Sequence, residues 1–251
     1  MIRDFITKMG LVLSRNFRNS LRNADSLLAN NPETLQMAKD TGYIPEERIH
    51  LIKGTAVPRA MENIQIPCLN DSSTLKLIWV GRLLPRKGLN LVMEALSKLP
   101  ADFDFTFTIV GGGKLFPMVE TWINDFGLER KKINVTGQIP FEKVIKFYKE
   151  SDAFIFCPLR ETFGAQLSEA MAFGLPVITL NMHGASIGVP DNCGIKITPT
   201  TKEQTLIDIS KAVIKMQLDV PFRKKCAENA YRYSLNNTWD NRIRYIVEKF
   251  Y

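Results

Sequence analysis

A chain of 251 residues with 45% apolar content can fill one large core or two small ones. The formal charge of +7 suits anionic ligands. The basic residues are scattered, with no long run and no interleaved aromatics, which argues against nucleic acid. No apolar run approaches the roughly 18 residues of a membrane span, and polar residues interrupt the apolar positions of the N-terminus, unlike a signal peptide. The first helix is predicted from about Ile2 to Arg22, on the spacing of Ile2, Phe5, Ile6, Met9, Val12, Leu13, Phe17 and Leu21. Its other face carries Arg3, Lys8, Arg15, Arg18 and Arg22. It reads as a domain helix with a solvated basic face, the alternative being a helix lying on an anionic membrane.

A short strand at Ser26–Ala29 follows, then a helix opened by Asn31-Pro32-Glu33 and a strand at Arg48–Ile52. Pro58 to Ser73 has turn residues and little periodicity and reads as a linker. Beyond it the alternation is regular. Strands are predicted at Lys76–Val80, Phe105–Val110, Ile133–Thr136, Ala153–Phe156, Val177–Leu180 and Gly194–Ile197. Helices are predicted at Leu89–Lys98, Phe116–Phe126, Phe141–Lys149, Gln166–Phe173, near Lys202–Gln217, and at Trp239–Tyr251. Apolar strands alternating with amphipathic helices imply an α/β fold, a Rossmann-like parallel sheet with helices on both faces. Ligands of such sheets bind outside the carboxyl ends of the strands.

The predicted strand ends carry the candidate chemistry. The loop from Gly81-Arg82 to Lys87-Gly88 brackets Arg82 and Lys87 between glycines, a pattern that can neutralise a diphosphate. Gly111-Gly112-Gly113-Lys114 is neither a Walker loop nor a dinucleotide fingerprint, and marks a turn that lets backbone approach a ligand. Gly137-Gln138-Ile139-Pro140 offers backbone groups to a base edge. From Glu161 to Glu169, two carboxylates flank a loop-to-helix junction at Gly164. Free helix amides there form an anion site, and acceptors on both sides suit a ligand with sugar hydroxyls around a diphosphate, as in a nucleotide sugar. Cys157 has no histidine in its loop and reads as a buried thiol. The four cysteines, Cys68, Cys157, Cys193 and Cys226, form no CxxC pair, and with only His50 and His183 a zinc site is not expected. His183 reads as a surface-loop histidine, a place beside the ligand being the alternative.

These loops together resemble the nucleotide-sugar half of a GT-B glycosyltransferase of family 4, the retaining group labelled glycosyl transferases group 1. The matching residues are Gly81-Arg82 with Lys87-Gly88, Val110-Gly111-Gly112-Gly113, Val135-Thr136-Gly137, and the Glu-x7-Glu pattern of Glu161 and Glu169. The resemblance implies that Arg82 and Lys87 contact the donor diphosphate and stabilise the leaving nucleotide, with Glu161 on the transferred sugar. Phe163, Gly164 and Leu167 would line the sugar–phosphate region and Glu169 would hold the ribose hydroxyls. Gly81, Gly111, Gly112, Gln138 and Ile139 complete the expected donor site, and Glu161, Arg82 and Lys87 the catalytic set. It also implies retention of configuration, no metal and no cofactor besides the donor substrate. After His183 the sequence Gly184-Ala185-Ser186-Ile187-Gly188 departs from the Gly-Gly and downstream Glu of such enzymes.

On the same resemblance, residues 1–57 correspond to the end of an N-terminal acceptor domain, 58–74 to a linker, 75–236 to the donor domain and 237–251 to a helix crossing back. Most of an acceptor domain is then missing, and the chain is expected to be a fragment or to be completed by a second polypeptide. The expected function is transfer of a sugar from a nucleotide sugar to a glycan or lipid-linked acceptor in surface polysaccharide assembly. The expected place is the cytoplasm, peripherally at the inner membrane face, without nucleic acid as a partner. Two alternatives are a sugar-nucleotide epimerase of the same fold and a non-catalytic donor-binding subunit.

Overall fold

The computed structural model describes residues 14–58, 61 and 73–250. Most of the predicted Ile2–Arg22 helix and of the 58–74 linker, and Cys68, lie outside the described residues. The elements in chain order are α1 (Arg15–Arg22), β1 (Leu27–Ala29), α2 (Pro32–Asp40), β2 (Ile49–Leu51), β3 (Leu75–Val80), α3 (Leu89–Leu96) and β4 (Phe105–Val110). There follow α4 (Met118–Asp125), β5 (Ile133–Gly137), α5 (Phe141–Lys149), β6 (Ala153–Phe156), α6 (Ala165–Ala172), β7 (Val177–Leu180) and α7 (His183–Gly188). The chain ends in β8 (Gly194–Ile197), α8 (Lys202–Leu218), α9 (Val220–Asn236) and α10 (Trp239–Phe250).

β3 to β8 form one six-stranded parallel sheet in the order β5-β4-β3-β6-β7-β8. Every residue of β6 and β7 is buried, so helices cover both faces of the sheet centre. The core runs from Leu77, Trp79 and Phe107 through Phe154 and Phe156 to Ile178, with Met171 and Phe173 behind them. Strand order reverses between β3 and β6, the first strand of the sheet having β4 on one side and β6 on the other. In open parallel sheets such a reversal is where a ligand crevice forms, here at the carboxyl ends of β3 and β6, because neighbouring connections depart to opposite sides.

The N-terminal unit is smaller. β1 and β2 pair in parallel, and Leu21, Ala38, Ile44 and Ile49 form its own buried cluster. Asn31 caps α2 through Oδ1, accepting from Thr34 N at 2.8 Å, with Pro32 in the first turn. Val57 forms a parallel bridge with Thr238, and Phe250 of α10 meets His50 of β2 at 4.6 Å between ring centroids. α10 thus returns to the N-terminal unit.

Two helices escape the sequence reading. α9 was missed because the residues it buries are Arg223, Cys226, Ala227, Ala230 and Ser234, which show no apolar stripe. Arg223 is 1% exposed and donates to Met216 O at 2.8 Å. α7 is built of small residues and starts at His183, so its sequence looks like a loop. No helix among the described residues is long and apolar enough to cross a membrane.

Candidate functional site

β3 ends at Val80 and β6 at Phe156, the two strands bounding the crevice. The loop after β3 makes a short 3-10 turn at Pro85–Lys87, and Gly88 ends it at φ 68°. A Cβ on Gly88 would lie 2.0 Å from Cys157 O, so only glycine lets this turn press against the loop after β6. The approach brings Lys87 Nζ onto Glu161 Oε2 as an ion pair, both side chains nearly buried. Arg86 reaches the same oxygen at 3.5 Å. Lys87 Nζ also stands 5.2 Å from the centroid of Phe156. One carboxylate therefore sits between two cations at the crevice.

Gly164 follows at φ 63° and starts α6, whose first-turn amides have no side-chain cap. A Cβ on Gly164 would meet Leu167 Cδ1 at 2.7 Å. Leu167 is buried and Phe163 is exposed. Just over one turn along α6, Glu169 Oε2 accepts from Tyr148 Oη at 2.9 Å, with the tyrosine ring stacked on Phe173. Burial holds the Glu169 carboxyl above its ordinary value of 4.5, and the Tyr148 bond opposes that only in part. Burial, then the Glu169 charge, pushes the Tyr148 phenol well above its ordinary range.

The other side of the crevice is assembled from the ends of β3, β4 and β5. Leu83 N donates to Gly112 O at 2.8 Å and Leu115 N to Leu83 O at 3.0 Å, locking the glycine turn onto the Arg82 loop. Gly111 lies so close to Gly81 O that a Cβ would stand 1.9 Å from it. Gln138 backs Gly112, where an added Cβ would be 3.2 Å from the glutamine Cβ. Ile139 is half-buried against the core. Arg82 is exposed and enters no ion pair among the described residues.

The structure thus brings Gly81, Gly111, Gly112 and Gln138 together, and separately Lys87, Glu161, Gly164 and Leu167. Pairing of Lys87 with Glu161 was not anticipated, nor were Arg86 and Tyr148 as neighbours of the two glutamates. Nothing in the spacing of Tyr148 signals its contact with Glu169. His183 is no free surface histidine: it begins α7 and bonds Glu33 and Leu159. Cys157 is fully buried and free, and burial pushes its thiol far up, which is the opposite of an activated nucleophile.

The family model for glycosyl transferases group 1 matches residues 62–233. The chain belongs to this family. Among curated relatives it is 26% identical over 164 residues to an uncharacterized glycosyltransferase of Methanocaldococcus jannaschii, covering 65% of this chain and 44% of that protein. It is 28% identical over 176 residues to a GDP-mannose-dependent alpha-(1-6)-phosphatidylinositol monomannoside mannosyltransferase of Mycolicibacterium smegmatis, covering 67% of this chain and 45% of the relative. This glycosyl transferase chain spans less than half the length of these curated relatives. Among solved structures, HepE of Anabaena in complex with UDP has a TM-score of 0.76 at 20% identity, covering 96% of this chain and 67% of that one. WaaG, a glycosyltransferase involved in lipopolysaccharide biosynthesis, has a TM-score of 0.72 at 20% identity, covering 94% and 68%. At such identities the likeness is one of fold, and the GT-B type of architecture expected from the sequence is present.

Proposed function

We propose that the crevice between β3 and β6 binds a nucleotide-sugar donor and that the chain is the donor-binding part of a retaining glycosyltransferase. The observation that carries this is the Lys87–Glu161 pair at the strand-order reversal, beside the uncapped start of α6. Lys87 and Arg82 would neutralise the diphosphate, assisted by the first amides of α6. As the bond between sugar and diphosphate breaks, negative charge grows on the leaving phosphate, and fixed cations stabilise that charge without reorganising. Glu161 would accept hydroxyls of the transferred sugar, sharing Lys87 with the phosphate. Glu169, held by Tyr148, would accept the ribose hydroxyls. Gly111, Gly112 and the Gly137–Ile139 turn would face the nucleoside. No metal is assigned, the phosphate charge being met by side chains and amides.

The acceptor is proposed to be a glycan or a lipid-linked sugar in surface polysaccharide assembly. Support comes from the names of relatives, among them the phosphatidylinositol mannosyltransferase and a serotype-specific mannosyltransferase of Escherichia coli 23% identical over 240 residues. The excess of basic residues fits work at the anionic cytoplasmic face of a membrane. Calorimetry with UDP, GDP, ADP and their hexose conjugates tests the donor reading. It expects one nucleoside diphosphate to bind and its affinity to fall in Arg82→Ala and Lys87→Ala. Absence of binding across the panel overturns it.

A further inference from the structure

His183 joins the N-terminal unit to the loop that carries Glu161. Its backbone N–H donates to Glu33 Oε1 at 3.0 Å, and its Nδ1 lies 3.3 Å from the same oxygen. Its Nε2 faces the carbonyl of Leu159 at 3.2 Å, where only a protonated nitrogen can bond. Glu33 is in the first turn of α2, and Leu159 stands two residues before Glu161. The histidine is at φ 52°, the one non-glycine at positive φ among the described residues. A side chain in that region is strained and persists where surrounding contacts over-determine it.

The rest of the loop is held with equal closeness. Leu159 N and Arg160 N donate to Arg86 O at 2.9 and 3.3 Å, on the β3 side. Gly184 N donates to Glu161 O at 3.0 Å, and a Cβ on Gly184 would lie 2.3 Å from Thr162 O. The N-terminal unit touches the loop a second time at Gly54, where an added Cβ would be 2.2 Å from the Phe163 ring. Residues 159–163 are thereby fixed from the Arg86 turn, from α7 and from the N-terminal unit. An exposed Glu–His pair alone would fix little. Here it acts on a backbone N–H and, through the ring, on a backbone carbonyl of the loop itself.

We propose that His183, held by Glu33, is a positioning residue that sets the Leu159–Phe163 loop, so that recognition of the donor's sugar at Glu161 depends on the N-terminal unit. This rests on the donor reading above. A nucleoside diphosphate meets the cation loop and Glu169 and does not need the latch. A nucleotide sugar adds a hexose that must find Glu161 in place. The latch therefore governs the ratio of nucleotide-sugar to nucleotide affinity rather than nucleotide affinity itself.

The experiment uses the full chain and its variants Glu33→Gln, His183→Gly and the double variant. Glycine at 183 keeps the positive φ without strain and removes only the ring. Amide exchange of residues 159–164 is followed by mass spectrometry, and calorimetry compares UDP with UDP-glucose and GDP with GDP-mannose. In His183→Gly, exchange of the loop is expected to rise about tenfold, the cost of opening having fallen. Nucleotide affinity is expected to stay within about twofold while the sugar-dependent ratio falls about fivefold, the worth of one hydrogen bond. Glu33→Gln should move both readouts the same way, and the double variant should be no worse than His183→Gly, because both remove one link. Unchanged loop exchange in His183→Gly, or an unchanged ratio, overturns the proposal. So do equal losses of nucleotide and nucleotide-sugar affinity. If the wild type binds no nucleotide, the donor reading fails by itself and the exchange data still decide the latch.

Discussion

The hydroxyl of Tyr148, on a fully buried ring, donates to Glu169 Oε2 at 2.9 Å. The bond ties α5 to α6 and leaves one carboxylate oxygen of Glu169 for a ligand. Tyr148→Phe keeps the stacking on Phe173 and removes only the hydroxyl. It is expected to cost about 1 kcal/mol of stability and to weaken nucleotide binding by about fivefold. Denaturant unfolding and calorimetry measure the two, and unaltered affinity would show that Glu169 needs no support from the tyrosine.

Glu169 also predicts a pH effect. Its carboxyl is raised above 4.5 by burial, so between 4.5 and the raised value the native state holds a proton that the unfolded state has lost. Stability therefore falls as pH rises through that window, and the deficit persists at neutral pH. Glu169→Gln removes this dependence while keeping an oxygen for Tyr148. The variant should be the more stable protein at pH 7 and the weaker nucleotide binder. Thermal melts from pH 4 to 7 check it: wild type and variant should converge toward the acid end. Parallel curves would refute the assignment.

Lys87 and Arg82 should separate on stability. Lys87 is 5% exposed and paired with Glu161, so Lys87→Ala strands a nearly buried carboxylate with Arg86 at 3.5 Å as its remaining cation. A loss of about 3 kcal/mol is expected, partly restored when Glu161→Ala is added, since the stranded charge is then gone. Arg82 is exposed, and Arg82→Ala should change stability by less than about 0.5 kcal/mol while still weakening diphosphate binding. A double variant less stable than Lys87→Ala alone would contradict the pairing.

Two glycines with nearly the same backbone should differ in what they tolerate. Gly42 has φ 63° and open space around a Cβ, whereas Gly88 has φ 68° and Cys157 O only 2.0 Å away. Gly42→Ala is expected to cost about 1 kcal/mol, the left-handed penalty alone. Gly88→Ala should cost more than twice about that amount, because the β3 and β6 loops must part. Equal costs in chemical denaturation would mean that the loops do not press together as described.

The two cores predict unequal protection. The N-terminal unit rests on the small cluster of Leu21, Ala38, Ile44 and Ile49, whereas the six-stranded sheet has a continuous core. Amides of β1 and β2 should exchange well before those of β3, β4 and β6. Matching rates in native-state exchange would show that the two units open as one.

The sequence alone determined the elements whose periodicity is strong. All six strands of the large sheet were legible, since apolar runs bounded by glycine, proline and polar turns leave few other choices. Gly164 and Gly174 bounded α6 for the same local reason, left-handed backbone at φ 63° and 68°. The candidate residues were found as loops at strand ends, a one-dimensional signal. α9 stayed hidden because it buries small residues and an arginine hydrogen-bonded to a backbone carbonyl, so its inward face is defined by the neighbours it fits and not by apolarity. Strand order was decided only by tertiary structure, because parallel strands pair across long separations that no local pattern encodes. That order places the β3 and β6 ends side by side and joins Lys87 to Glu161 across 74 residues. The contact of His183 with Glu33 spans 150 residues and exists only once both units have folded against each other.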